Sequence, residues 1–181
     1  MGWIVARRLG TAAHVIIYDK RGVGLSDRIE SPATVEQQVA DAEVIMRAAR
    51  SERVTILAVS DGTTVATHLA VRRPQQVAGL LIYDGQAKGV RSVDYPWGLT
   101  PEQYQRWADR VVRGWGGPIH LEYFAPTHAQ DERLRPWWAQ MQRLAPSPSA
   151  VKIILGEFSR VTSGTVHFLI AAAHVRLAPR S

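Results

Sequence analysis

Three short runs of apolar, largely β-branched residues stand out from a more polar background: residues 14–18, Val54–Val59 and Val77–Tyr83. Each has the length and composition of a strand buried in a parallel sheet. Between the first two, Val35, Val39, Ala42, Ile45 and Ala49 recur at helical spacing. They form one apolar stripe through about residue 50, and Ser31-Pro32 reads as the helix start. Between the second and third runs, residues 63–71 predict another helix, ended by Pro74. Residues 14–85 therefore read strand, helix, strand, helix, strand. Such alternation with short connections predicts a parallel sheet with right-handed crossovers. Sites in these sheets form in the loops at the carboxyl ends of the strands, where residues 19–27 and Ser60 both fall. Upstream, residues 3–9 predict a short helix leading to Gly10.

From about residue 86 the pattern changes. Trp, Tyr, Pro and Arg become frequent, and no strand-like run follows for some sixty residues. Thr100-Pro-Glu-Gln103 is a helix start with a capping threonine, proline at the first position and glutamine placed for a capping box. Tyr104, Trp107 and Val111 continue it as a stripe, and Gly114 stops it. Leu134, Trp137, Trp138, Met141 and Leu144 predict a second helix, broken by Pro146-Ser-Pro148, and residues 151–158 a third, shorter one. Helix packing is the simplest use for these aromatics, although a helical cover rich in them also suits an apolar ligand. The run at residues 166–174 is too short to be assigned to helix or strand. The divisions expected are a core over 1–85, a helical cap over 86–158 and an atypical tail over 159–181.

Composition narrows the function classes. A chain of 181 residues forms one domain with a proper core. The absence of cysteine rules out disulfides and thiolate chemistry. Lys plus Arg exceeds Asp plus Glu by 22 − 16 = 6, but the basic residues are dispersed, so no nucleic-acid partner is expected. Apolar runs are too short for a membrane span. The first residues lack the order of a secretory signal, which makes the cytoplasm the expected location. No metal or organic cofactor is implied. A nucleotide loop at Gly22-Val-Gly24 lacks the third glycine of Gly-x-Gly-x-x-Gly, since Asp27 holds that position.

The candidate chemistry sits at the end of the second run, in Ala58-Val59-Ser60-Asp61-Gly62. An apolar strand stops, a serine occupies the break, and a helix begins at once. A serine there has its hydroxyl lifted clear of the sheet, at a helix N-terminus whose free N–H groups favour negative charge. The stretch is one residue from Gly-x-Ser-x-Gly, with alanine for the first glycine.

Three segments in order resemble the α/β-hydrolase superfamily: Asp19-Lys-Arg21-Gly22-Val-Gly24-Leu-Ser26 after the first run, Ala58-Val-Ser60-Asp61-Gly62, and Pro74-Gln-Gln-Val77 leading into the third. The helical insert is similar to the cap of bacterial hydrolases found beside, or fused to, class III adenylate cyclase domains. It contains Asp94-Tyr-Pro-Trp-Gly98, Arg113-Gly-Trp-Gly116, Phe124-Ala-Pro126 and Trp137-Trp138. The resemblance covers roughly residues 3–158. It implies a partial α/β-hydrolase fold, in which a parallel sheet is flanked by helices and carries a helical cap insert. It also implies hydrolysis of an ester or related acyl bond in a small, apolar substrate. Ser60 would be the nucleophile, and the Asp61 backbone N–H would supply half of the oxyanion hole.

The chain departs from that pattern at both ends. Residues 1–13 contain no His-Gly loop for the second oxyanion donor, and no Gly-x-Asp, Gly-His or acidic residue of any kind follows Phe158. The surviving candidates are Asp84 as the acid and His167 or His174 as the base, in the order Ser, acid, His. Each also has a structural reading, Asp84 as a strand-end residue and the histidines as packing groups. The expectation is a hydrolase truncated at both ends, with an incomplete triad and sheet edges open to self-association. A catalytically inactive ligand- or protein-binding module, or a remnant of a longer gene, stands as the alternative.

Overall fold

The structure, a computed structural model, describes residues 2–27, 29 and 31–160. Helix α1 (Gly2–Leu9) is followed by an irregular stretch and then α2 (Val35–Ala48). Strand β1 (Val54–Val59), helix α3 (Gly62–Arg72) and strand β2 (Val77–Tyr83) complete an α/β unit. Helices α4 (Pro101–Gly114), α5 (Leu121–Phe124), α6 (Leu134–Leu144) and α7 (Pro148–Arg160) follow, with a 3-10 turn at Pro126–His128. Among the described residues no helix is long and apolar enough to cross a membrane.

Helix α2 starts three residues later than Ser31-Pro32 suggests. Thr34 caps it: its hydroxyl accepts from the Gln37 N–H at 3.2 Å, and its own N–H donates to Gln37 Oε1 at 2.9 Å. A reciprocal box satisfies two donors that the Ser31-Pro32 start leaves open. The helix ends with Arg50 in the left-handed region at φ 52°. There the N–H of Ser51 reaches back to the Met46 carbonyl at 2.9 Å, a closure usually given to glycine.

The two strands pair in parallel, with Val59 opposite Tyr83. Their inner residues meet α2 and α3 in a core built on Val39, Met46 and Leu69, with Val35, Ala42, Val54, Ile56, Val65 and Val77 packed around it. Full burial of a side chain such as Val39 or Leu69 contributes roughly 1.5–3 kcal/mol. Two expectations fail here. Residues 14–18 form no strand, because a strand exists only as part of a ladder and, among the described residues, the sheet is β1 and β2 alone. The strands are also not buried on both faces. Burial along β1 alternates, and Leu57 and Leu81 remain 45% and 52% exposed.

Ion pairs tie the irregular stretch and α3 to α2. Arg21 meets Asp41 with two nitrogens, one at 2.6 Å. Arg73 holds Glu43 at 2.9 Å and 3.4 Å.

In the helical part, Thr100 forms the expected capping box with Gln103. Helix α4 packs on α7, where the Tyr104 hydroxyl donates to the Leu155 carbonyl at 2.9 Å. Burial pushes that phenol up to about 12. Helix α7 is 13 residues against 11 for α6, so the third helix is not the shorter one. Its start lies further back because the Ser147 hydroxyl accepts from the Ala150 N–H at 3.3 Å. Trp115 and Trp138 turn their indole N–H groups inward, to the carbonyls of Pro146 and Ile119 at 2.8 Å and 2.9 Å. Trp138 serves packing as its place in the stripe suggested, whereas Trp137, Met141 and Leu144 of that stripe are exposed and α6 buries Ala139 and Gln142 instead.

Candidate functional site

Ser60 is the first of the two residues between β1 and α3, with φ at 52°. A non-glycine residue there is strained by the approach of its Cβ to the backbone. Hydrogen bonds on both sides hold it. The Ser60 N–H donates to the Tyr83 carbonyl on β2 at 3.1 Å, and the Ser60 carbonyl accepts from Thr63 N–H at 3.1 Å. The sheet thus continues one residue past the strand before the helix takes over. The serine is exposed, and it faces the positive end of the α3 dipole.

Asp61 begins the turn into α3 with helical dihedrals, φ −60° and ψ −22°. Among the described residues its N–H meets no backbone acceptor. Its carboxylate is held by Lys20 at 2.5 Å. That ion pair links the turn to the 19–27 loop and offsets a negative charge beside the point where an oxyanion would develop. Nothing in the residue spacing signals this pairing, and sequence reasoning missed it.

The loop is itself built on Asp19. The Asp19 carboxylate accepts from the Leu25 N–H at 3.0 Å, and its carbonyl accepts from the Ser26 hydroxyl at 2.6 Å. Gly24 closes the turn at φ 57°, where a Cβ would fall 2.3 Å from the Asp19 carboxylate. Gly24 and the aspartate of this motif are therefore accounted for by loop construction.

Asp84 follows β2 and, like Ser60, adopts the left-handed region, at φ 53°. Since Val59 is opposite Tyr83, Ser60 and Asp84 leave adjacent strands at the same level. A cleft of about 340 Å³ opens there, lined by Tyr83, Asp84, Tyr123 and Phe124. It brings the end of β2 against α5, a helix of 4 residues too short to show in hydrophobic periodicity.

No described histidine attends the serine. His68 lies on α3 with Nδ1 at 2.8 Å from the Thr64 carbonyl, so Nδ1 carries the proton. His120 stacks on Trp107, and burial lowers its pKa. His128 is engaged with Thr127 at 2.9 Å, and His14 is exposed on the irregular stretch. His167 and His174, with the run at residues 166–174, lie outside the described residues. Among the described residues no cluster of three or more histidines and carboxylates is arranged to hold a metal.

A parallel strand, a two-residue turn entered through the left-handed Ser60 and a helix directly after it define an α/β fold of hydrolase type. A family profile described as the alpha/beta hydrolase fold matches residues 3–161, and the chain belongs to that family. Solved structures agree on the fold. An esterase from Exiguobacterium antarcticum superposes with a TM-score of 0.63 at 18% identity, over 78% of this chain and 53% of its own. A bromoperoxidase from Bacillus anthracis gives 0.59 at 16% identity, over 78% and 54%. A thermophilic esterase from Thermogutta terrifontis gives 0.53 at 22% identity, over 78% and 52%. The chain thus spans about half the length of these structures. No curated protein matches it.

Proposed function

We propose that this chain forms the nucleophile-bearing part of a serine hydrolase acting on an ester or related acyl bond, with Ser60 as nucleophile. The observation that carries the reading is the left-handed Ser60 between β1 and α3, tied to β2 through the Tyr83 carbonyl. Strain of this kind, 1–3 kcal/mol as an order-of-magnitude estimate, persists only where surrounding structure enforces it. In the proposed reaction Ser60 Oγ bonds to the substrate carbonyl carbon while a base takes its proton. The Asp61 N–H stabilises the oxyanion. Collapse expels the alcohol, which receives that proton, and water then releases the acid from the acyl-serine. Asp84 is the candidate acid and His167 or His174 the candidate base. Residues 86–158 would act as a cap over the site. The outward face of β1 and β2, with Leu57, Val59 and Leu81 exposed, would be covered by self-association or by further chain.

The test is labelling of the folded chain by a fluorophosphonate probe. Labelling that disappears in Ser60→Ala supports the reading, and folded protein that never labels sinks it. A second reading, a catalytically inactive binding module, is favoured by one observation: among the described residues none hydrogen-bonds the Ser60 hydroxyl. It predicts ligand-dependent tryptophan fluorescence that Ser60→Ala leaves unchanged.

A further inference from the structure

A second cleft opens between α2 and α3. Its volume is about 270 Å³, and Glu36, Val39, His68, Val71 and Arg72 line it. Arg72 lies ten residues past Gly62 on α3, about 15 Å along the helix axis from the Ser60 turn, so this cleft is separate from the candidate site. Val39 gives it an apolar floor at 1% exposure, and Val71 an apolar wall at 66%.

Three polar side chains complete the lining. His68 gives its Nδ1 proton to the Thr64 carbonyl at 2.8 Å, which leaves the neutral ring with an acceptor at Nε2. Glu36 and Arg72 are both exposed, and among the described residues neither forms an ion pair. The neighbouring Arg73, by contrast, is taken up by Glu43. The Glu36 carboxyl is held below its ordinary 4.5 first by its own backbone N–H and the Thr34 hydroxyl. Arg72, and His68 in the imidazolium form it takes in acid, lower it further, so all three groups share one field. A positive and a negative charge thus face a single apolar cleft without pairing with each other.

The chemistry of the occupant follows from that set. An anion would gain Arg72 but meet the Glu36 carboxylate, and a cation would meet the reverse. A neutral apolar molecule would use the two valines and leave both charges idle. A zwitterion with an apolar branch uses every group. Its ammonium donates to Glu36 and to His68 Nε2, its carboxylate lies in the Arg72 fork, and its branch rests on Val39 and Val71. The volume of about 270 Å³ falls just under the roughly 300 Å³ at which drug-sized pockets begin, which suits a molecule the size of one residue. We propose that this cleft binds a free α-amino acid with an apolar side chain. The site stands apart from the hydrolase reading, and neither depends on the other.

Titration of the full chain with L-leucine, followed on the ligand methyl resonances, tests the proposal. The result expected is saturable binding with a dissociation constant on the order of 1 mM, the scale that so few atoms reach. Isoamylamine and 4-methylpentanoate keep the branch and one charge each, and each should bind about fivefold more weakly, the scale of one exposed charge pair. Glycine, which lacks the branch, should bind about tenfold more weakly. Arg72→Met keeps the aliphatic stem and should weaken leucine about fivefold while sparing isoamylamine. Glu36→Gln should weaken leucine to the same extent while sparing 4-methylpentanoate. Both positions are exposed, so the variants keep the fold, and a merely structural role would not produce this crossed pattern. Equal binding of N-acetyl-leucinamide, which carries neither charge, would overturn the proposal and assign the cleft to a peptide chain. Equal binding of the one-charge analogues, or no saturation by about 50 mM leucine, would overturn it as well. Ser60→Ala should bind leucine as the wild type does, whatever the fluorophosphonate result.

Discussion

The left-handed backbone at Ser60 can be measured by exchanging the serine for alanine and for glycine. Ser60 is exposed, so neither change removes buried surface, and its φ of 52° is unchanged by alanine. The left-handed region costs an L-residue about 1–2 kcal/mol and costs glycine almost nothing. Glycine adds unfolded-state entropy worth about 0.4–1 kcal/mol against alanine. The difference leaves Ser60→Gly more stable than Ser60→Ala by roughly 0.5–1 kcal/mol, or about 1–4 °C in Tm for a chain of this size. A helix position supplies the opposite sign. Ala40 is exposed within α2, and Ala40→Gly should lose about 1 kcal/mol. Thermal unfolding by circular dichroism, repeated in urea, reads all three variants. If glycine at position 60 destabilises relative to alanine, as it does at 40, the turn is not strained. The observation on which the nucleophile rests is then gone.

Removal of the Lys20 partner should leave stability within about 1 kcal/mol, because the pair is 35% and 49% exposed. Lys20→Met should nevertheless slow fluorophosphonate labelling roughly fivefold, since a bare Asp61 carboxylate then repels the forming oxyanion by about 1 kcal/mol; an unchanged rate would show that the ion pair is irrelevant to the serine. Gly24→Ala forces a Cβ to 2.3 Å from the Asp19 carboxylate at φ 57°, and should cost about 3 kcal/mol in chemical denaturation. Thr63 is 4% exposed and its buried hydroxyl has no partner, so Thr63→Val should raise stability by about 1 kcal/mol, and a loss would reveal an unseen partner. The Lys88 ammonium and the Ser92 hydroxyl hold Asp94 down to about 2. Its folded value lies below the ordinary 3.8, so the stability it supplies is present above that value and lost as the pH falls through about 2. Asp94→Asn should flatten the acid unfolding curve between those limits.

Local signals proved legible wherever the physics is local. The Thr100 capping box, the presence of α6 though not its buried face, the α3 boundaries and the parallel order of β1 and β2 all follow from spacing and composition. The loop at residues 19–27 was legible as a loop, but the reason for Gly24 became visible only with the Asp19 carboxylate in place. Residues 14–18 misled because an apolar β-branched run states a propensity, whereas a strand requires a neighbour. Thr34 displaced Ser31 because a reciprocal cap outweighs a single proline signal. The Lys20 to Asp61 pair and the cleft at Asp84 were invisible for another reason. Each joins positions about forty apart along the chain, and nothing in a one-dimensional pattern says which distant side chains will meet.

The strain at Ser60 and at Asp84 has one origin. Two parallel strands end level, and the chain turns out of the sheet at the residue after each, Ser60 and Asp84, both in the left-handed region. The same geometry explains why the turn and the tips of the strands share one exposed surface. Leu81, Ile82 and Tyr83 at the Ser60 end of β2 are all exposed, unlike the first four residues of the strand, and Val59 beside them is 50% exposed. Any segment that brings a base to the Ser60 hydroxyl must cross this apolar ground, since the other face is filled by α2 and α3. On the hydrolase reading proposed above, covering it and activating the serine would be one event, whether residues 161–181 or another chain supplies the segment. Catalytic competence should rise in step with the burial of Val59 and Tyr83, because a base held over bare sheet would have nothing to fix it in place.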